Sequence, residues 1–231
     1  MNSETYFDKT IENFREQLLA TPILNQLTDL NNQQIQFLFS QIYYFVKAFP
    51  GYLGILLWKT NNKHIRFAIT ENLVDEHGGI DKINKKDFNM IHSRLLKNFI
   101  KSTNPTLSKL ADKSIHTKIL MSNFDRLFLN ATLVEALGMM TAMESISVKW
   151  FSLLYHQLKK RGEYSNEALY FFELHMSLDE EHGSILKDIL MPLLKNKQSI
   201  MLFQESVETI SLVWKRFYYG IAEEIANEHC Y

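Results

Sequence analysis

The stretch ELHMSLDEEHG, residues 173–183, carries His175, Asp179 and His182 at spacings of four and three. An α-helix advances about 100° per residue, so these three side chains fall within about 60° of one another and can converge on one point. Leu174, Leu178, Ile185, Leu186 and Ile189 lie close to the same side. The pattern therefore predicts a helix whose polar triad is partly buried, and buried ionisable groups require partners. Neutral imidazole together with carboxylate suits Fe(II), Mn(II) or Zn(II). The competing reading is a solvated polar stripe, to which Glu180 and Glu181 belong in either case. Which of the two holds depends on what the rest of the chain can bring to the triad.

The rest of the chain reads as helices. Glycine (8) and proline (4) are scarce among 231 residues, and scarce punctuation favours long elements with few turns. Residues 5–19 place Phe7, Ile11, Phe14 and Leu18 on one helical face. Residues 32–48 form a second helix, with Pro50-Gly51 as its stop signal. Residues 52–76 form one or two more, with a break near Asn61-Asn62. HGGIDKINKKDFN (77–89) is a polar loop, and 90–102 is helical up to Asn104-Pro105. A long segment over 125–160, a helix capped by Ser165 or Asn166 and running to about 190 near Pro192, and a last helix over 197–228 complete the count. No alternating run is long enough for a strand. The expectation is an all-α fold: one domain over 1–231, a bundle of about seven helices.

Composition narrows the function. A formal net charge of −1 gives no basic signal for nucleic acid. No apolar run approaches the length that spans a bilayer, and the first residues do not read as a signal peptide. The single cysteine, Cys230, rules out an internal disulfide framework and fits a reducing cytoplasm.

A metal site in a bundle draws ligands from several facing helices. MTAMESISVKW (140–150) holds Glu144 inside an apolar run, where a carboxylate must be paired or bound to a cation. A salt bridge to Lys149 or Arg126 is the alternative. Glu135 is a weaker candidate, on the opposite side of that helix. Glu71, Asp75 and Glu76 end an apolar helix and read equally as an acidic surface turn. His92 sits between Ile91 and Leu95, where a plain core histidine is the alternative. Glu76, His92, Glu144, His175, Asp179 and His182 together form a six-ligand set that can hold two divalent ions.

With these residues in view, the sequence resembles the haem-oxygenase-like di-iron oxidases, and within them the para-aminobenzoate-forming proteins of chlamydiae. YYFVKAFPGYL (43–53), NLVDE (72–76), HSRLLKNF (92–99), MES (143–145) and HMSLDEEH (175–182) carry the resemblance over most of the chain. It implies a haem-oxygenase-like fold and two iron ions, or a manganese–iron pair, held by the six residues above, with His77 a rival for the place of His92. It implies an O2-activating oxidase or oxygenase acting on a small organic substrate, with para-aminobenzoate or folate-type synthesis as the setting the resemblance suggests. Tyr43 and Lys47 are the candidate catalytic residues, Lys47 to hold an acidic substrate group. Phe37, Phe39, Tyr43, Phe45 and Met140 are candidates for the pocket lining, although at helical spacing such residues are more often simply core. A homodimer is the expected assembly. The rival function is a non-catalytic helical interaction protein with structural metal.

Overall fold

The computed structural model describes residues 3–81, 85–86, 88–106 and 109–227; Cys230 lies outside them. Among these residues the chain forms eight α-helices: α1 (Ser3–Leu19), α2 (Asn32–Lys59), α3 (Lys63–Glu76), α4 (His92–Thr103), α5 (Ile115–Asn130), α6 (Leu133–Arg161), α7 (Asn166–Leu190) and α8 (Lys197–Ala226). The polar segment after α3 holds a short antiparallel pair, β1 (Gly79–Asp81) with β2 (Lys85–Lys86), Gly79 facing Lys86. The fold is all-α apart from this hairpin.

Local chemistry sets most of the helix starts. Asn31 and Gln34 form a reciprocal capping box at α2, Thr132 and Glu135 one at α6, and Asn196 and Ser199 one at α8. Single side-chain caps serve α3 (Asn62), α5 (Ser114) and α7 (Ser165). Each satisfies backbone N–H groups that the first turn leaves without partners. Gly162 ends α6 at φ 70°, in the left-handed region that only glycine adopts without strain.

Two expected boundaries are corrected. The segment 125–160 is not one helix: Ala131 and Thr132 are extended, and the Thr132–Glu135 box restarts the helix, which is how Glu135 is used. Pro50 does not stop α2. The helix runs through it for another nine residues. A proline inside a helix costs roughly 3 kcal/mol. Beyond it Tyr52, Leu53 and Leu56 are buried, each recovering about 1.5–3 kcal/mol. The Tyr52 hydroxyl donates to Asp125 at 3.0 Å, and the Lys59 ammonium donates to the carbonyls of Leu129 and Ala131. Tertiary contacts thus outweigh the local stop.

One hydrophobic cluster joins all the major helices, from Phe7 and Phe14 of α1 to Trp214, Phe217 and Ile221 of α8. The predicted α1 face (Phe7, Ile11, Phe14, Leu18) is buried. α6 and α7 approach closely where a Cβ on Gly183 would stand 3.4 Å from the backbone of Ser145. That is ordinary contact distance, so a methyl group would fill the gap between the helices and leave no room beyond it toward Ser145. Their neighbours in sequence are His182 and Glu144, so this close passage brings a carboxylate of α6 against the α7 triad.

Candidate metal centre

The α7 stripe is inside. His175, Asp179 and His182 are all buried, as are Glu76 at the end of α3, His92 at the start of α4 and Glu144 in the middle of α6. They fall into two groups whose ligand atoms lie within 4.8 Å of one another: Glu76, His92 and His175, and Glu144, Asp179 and His182. All six sequence candidates are therefore brought together, four helices contributing. The solvated-stripe reading survives only for Glu180 and Glu181, which are exposed.

Two of the three imidazoles, His175 and His182, are oriented by a bond on the outer side. His175 Nδ1 donates to the carbonyl of Phe171 at 2.7 Å, leaving Nε2 for the centre. His182 Nε2 donates to Asp75 Oδ2 at 3.1 Å, leaving Nδ1 facing inward, where it has no hydrogen-bond partner. His92 Nδ1 stands 3.0 Å from Glu76 Oε1 yet also lacks hydrogen-bond geometry to any partner. Two buried ring nitrogens without hydrogen bonds, each beside a carboxylate, fit a shared cation better than a neutral core, where such atoms are costly. Glu144 accepts from Asn72 Nδ2 at 2.9 Å and lies 3.9 Å from His182 Nδ1. Lys149 is exposed and Arg126 donates to Asn123, so neither is the partner of Glu144.

The electrostatics point the same way. Burial, then the nearby Glu144 and Glu76, push the Asp179 carboxyl well above its ordinary range. Burial also raises Glu144, against the pull of His182 and Asn72. Burial and the neighbouring His92 hold His175 well below the usual imidazole range. Burial works against charge on His182 too, but the hydrogen bond to Asp75 and the nearby carboxylates outweigh it and raise it. Three buried carboxylates with no lysine or arginine among them call for added positive charge, and neutral imidazole is the form that binds metal.

His77 is exposed, with Nδ1 bonded to the carbonyl of Leu73, so the place beside Glu76 belongs to His92. A cavity of about 60 Å³ opens on Glu76, Glu144, His175 and Asp179 and runs between apolar walls that include Phe45, Phe49, Met143 and Phe151 to Trp150, Trp214 and Tyr218. Of the expected lining residues, Phe45 is at this cavity; Phe37, Phe39, Tyr43 and Met140 are not. Lys47 is exposed and Tyr43 packs on Tyr44, so neither candidate catalytic residue reaches it. Sequence reasoning missed Asn72, and weighed Asp75 as a ligand candidate or one acid of a surface turn, not as the outer partner of His182.

Residues 36–214 match the family described as iron-containing redox enzyme. The chain is 27% identical over 214 residues to 4-chloro-allylglycine synthase of Streptantibioticus cattleyicolor, covering 87% of this chain and 76% of that one. It is 26% identical over 190 residues to 4-aminobenzoate synthase of Chlamydia pneumoniae, covering 80% of each. A solved domain of unknown function with a haem-oxygenase-like fold, from Shewanella denitrificans, superposes with a TM-score of 0.75 at 12% identity, over 97% of this chain and 93% of that one. The fold is haem-oxygenase-like.

Proposed function

This chain belongs to the family of iron-containing redox enzymes, and from that premise we propose that it is a non-haem dinuclear oxidase or oxygenase acting on a small organic substrate. The observation that carries the reading is the pair of buried triads, each with ligand atoms within 4.8 Å. Glu76, His92 and His175 hold one ion, and Glu144, Asp179 and His182 the other. Two iron ions, or manganese with iron, fit this mixture of imidazole and carboxylate. When bound, such a pair would pass electrons to O2 and so make it the oxidant that takes electrons from the substrate.

The protein's own residues set the geometry. The Phe171 carbonyl and the Asp75 carboxylate each take an imidazole N–H and fix which nitrogen faces inward. Asn72 occupies one oxygen of Glu144 and leaves the other for metal. Three carboxylates offset most of the charge of two dications. The aromatic walls keep water from the reacting end, which strengthens every electrostatic interaction there.

The names of the two synthases support a small, nitrogen-containing organic substrate. The shared core supports one domain over 1–231. No helix among the described residues is long and apolar enough to cross a membrane, and with a single cysteine the chain fits the cytoplasm. Exposed Trp58 and Phe67 supply apolar surface for a homodimer.

Anaerobic loading with Fe(II) tests the reading: two metals per chain are expected, with O2 uptake on exposure to air. Less than one metal per two chains, unaltered by His175→Ala or Glu144→Ala, would sink it. Asp75→Ala is expected to weaken metal binding by roughly 10–100-fold, the usual effect of losing an outer partner of a ligand histidine. Asp75→Asn keeps an acceptor and should fall between this variant and the parent in competition titrations with a chelator.

A further inference from the structure

Size and wall chemistry together limit what the cavity beside the metal residues can hold. Its volume is about 60 Å³. A water needs roughly 10–15 Å³ of such space and two to four polar partners, while an engineered apolar cavity of about 150 Å³ takes up benzene or xenon. The space therefore suits a molecule of a few atoms and falls short of a six-membered ring. Its polar groups are gathered where Glu76, Glu144, His175 and Asp179 meet it, with Ser147 close to Asp179 and donating to the Met143 carbonyl at 2.7 Å. From His175 the wall continues as aromatic rings in contact. Centroid distances are 4.4 Å to Phe151, then 4.6 Å to Trp150, 6.0 Å to Trp214 and 4.7 Å to Phe45. Leu18 and Val46 add aliphatic surface from α1 and α2. Trp150 and Tyr218 carry polar atoms at this end, but both atoms are buried and the indole N–H acts on the Tyr218 oxygen, so neither is held out to a ligand. Among the described residues no lysine or arginine lines the space. The aromatic end thus offers water no hydrogen bonds and an anion no counter-charge.

We propose that this aromatic end is a holding site for O2, and that the organic substrate is not seated there. This rests on the metal-centre reading for what O2 does on arrival. O2 is uncharged, apolar and diatomic, so it meets both limits. Its transfer from water into an apolar enclosure is favoured for the same reason that any apolar surface leaves water. Water is disfavoured in the same place, because a buried polar molecule without hydrogen-bond partners is costly. The enclosure opens on Glu76, Glu144, His175 and Asp179, so an apolar gas gathered by the rings stands next to the residues that would hold the metals. A substrate larger than a few atoms must part these walls or reach the metal residues from another side.

The probes are xenon, an apolar gas, and benzene. Crystals of the full-length protein loaded with redox-inert Zn(II) are pressurised with xenon or soaked in benzene, and difference maps locate what binds. Xenon is expected among Phe45, Phe151 and Trp214, and benzene is expected to be absent. Val46→Phe fills the space and should exclude xenon; Leu18→Phe fills it from α1 if the first variant does not fold. In solution, Fe(II)-loaded protein is mixed with O2 at several concentrations and oxidation of the iron is followed by absorbance. The second-order rate constant is expected to fall about tenfold in the filled variant with two irons per chain still bound, because a close-packed interior has few other voids of that size. Three results, in protein carrying two metals per chain, overturn the O2 assignment and leave the metal reading standing: ordered water in place of xenon, benzene bound at the aromatic end, or a filled variant that reacts with O2 at the parent's rate. Xenon bound by protein that takes up less than one metal per two chains would sink the oxidase reading, and the assignment to O2 with it.

Discussion

Asp179→Asn is expected to leave a folded chain that holds one metal ion tightly instead of two, with affinity at the second position reduced by more than a hundredfold. That exceeds the roughly 10–100-fold effect of losing an outer partner, because here the ligand itself changes. O2-dependent turnover should fall to background. The amide is nearly the same size as the carboxylate, so packing at this buried site is kept. What changes is charge. In the metal-free chain Asp179 is crowded by Glu144 and Glu76, which with burial push its carboxyl well upward. Replacing it relieves that crowding, so the metal-free variant should melt no lower than the metal-free parent. With metal added, the order reverses, because the parent gains from two sites and the variant from one. Metal analysis, O2 uptake and melting of both forms check this. A variant that retains two ions and full turnover would remove Asp179 from the ligand set. A variant that melts lower in both states would make its role structural.

The centre was legible in the sequence because its chemistry is conspicuous there. His175, Asp179 and His182 share one helical face at spacings that a solvated stripe does not need, and Glu144 stands inside an apolar run where an acid has to be explained. The parts that were not legible depend on contacts between distant segments. Asn72 is an ordinary polar residue of α3 until α6 brings Glu144 to it, 72 positions away. Asp75 reads as a surface acid until His182 arrives from α7. Tyr218 is one of ten tyrosines, at helical spacing in an apolar face. Only the structure shows it at the wall of the cavity. Tyr43 drew attention through its neighbours in sequence, yet the cavity turns past it toward Phe45 and Phe49. The same asymmetry explains Pro50. A stop signal is local, while the burial of Tyr52, Leu53 and Leu56 that overrides it belongs to the assembled bundle.

Removing the metals is expected to have the largest effect on stability, and the size of that effect should depend on pH. Two sites, each filled at a free-metal level of 100 times its dissociation constant, add about 5 kcal/mol. For a chain of this length that is roughly 10–20 °C in melting temperature. The metal-free protein carries the opposing terms. Asp179, Glu144 and His182 have pKa values raised by folding. The native chain therefore holds protons that the unfolded chain has released, and stability falls as pH rises through that range. His175 is lowered, so its contribution is complete above the unfolded imidazole value of about 6.5 and is lost only as pH falls below it. Between pH 6.5 and 8 the slope from His175 fades as the unfolded imidazole gives up its last protons, while the raised groups favour holding protons that the unfolded chain releases. The metal-free chain should be less stable at pH 8 than at pH 6.5. With both ions bound, the ligands are already deprotonated, and the loaded chain should change little over the same interval. The gap between the two forms should thus widen with pH. Melting chelator-treated and Mn(II)-loaded protein at the two pH values measures it directly. A gap that narrows toward pH 8 would mean that these buried groups do not give up protons to metal, and that the six residues do not work as one ligand set.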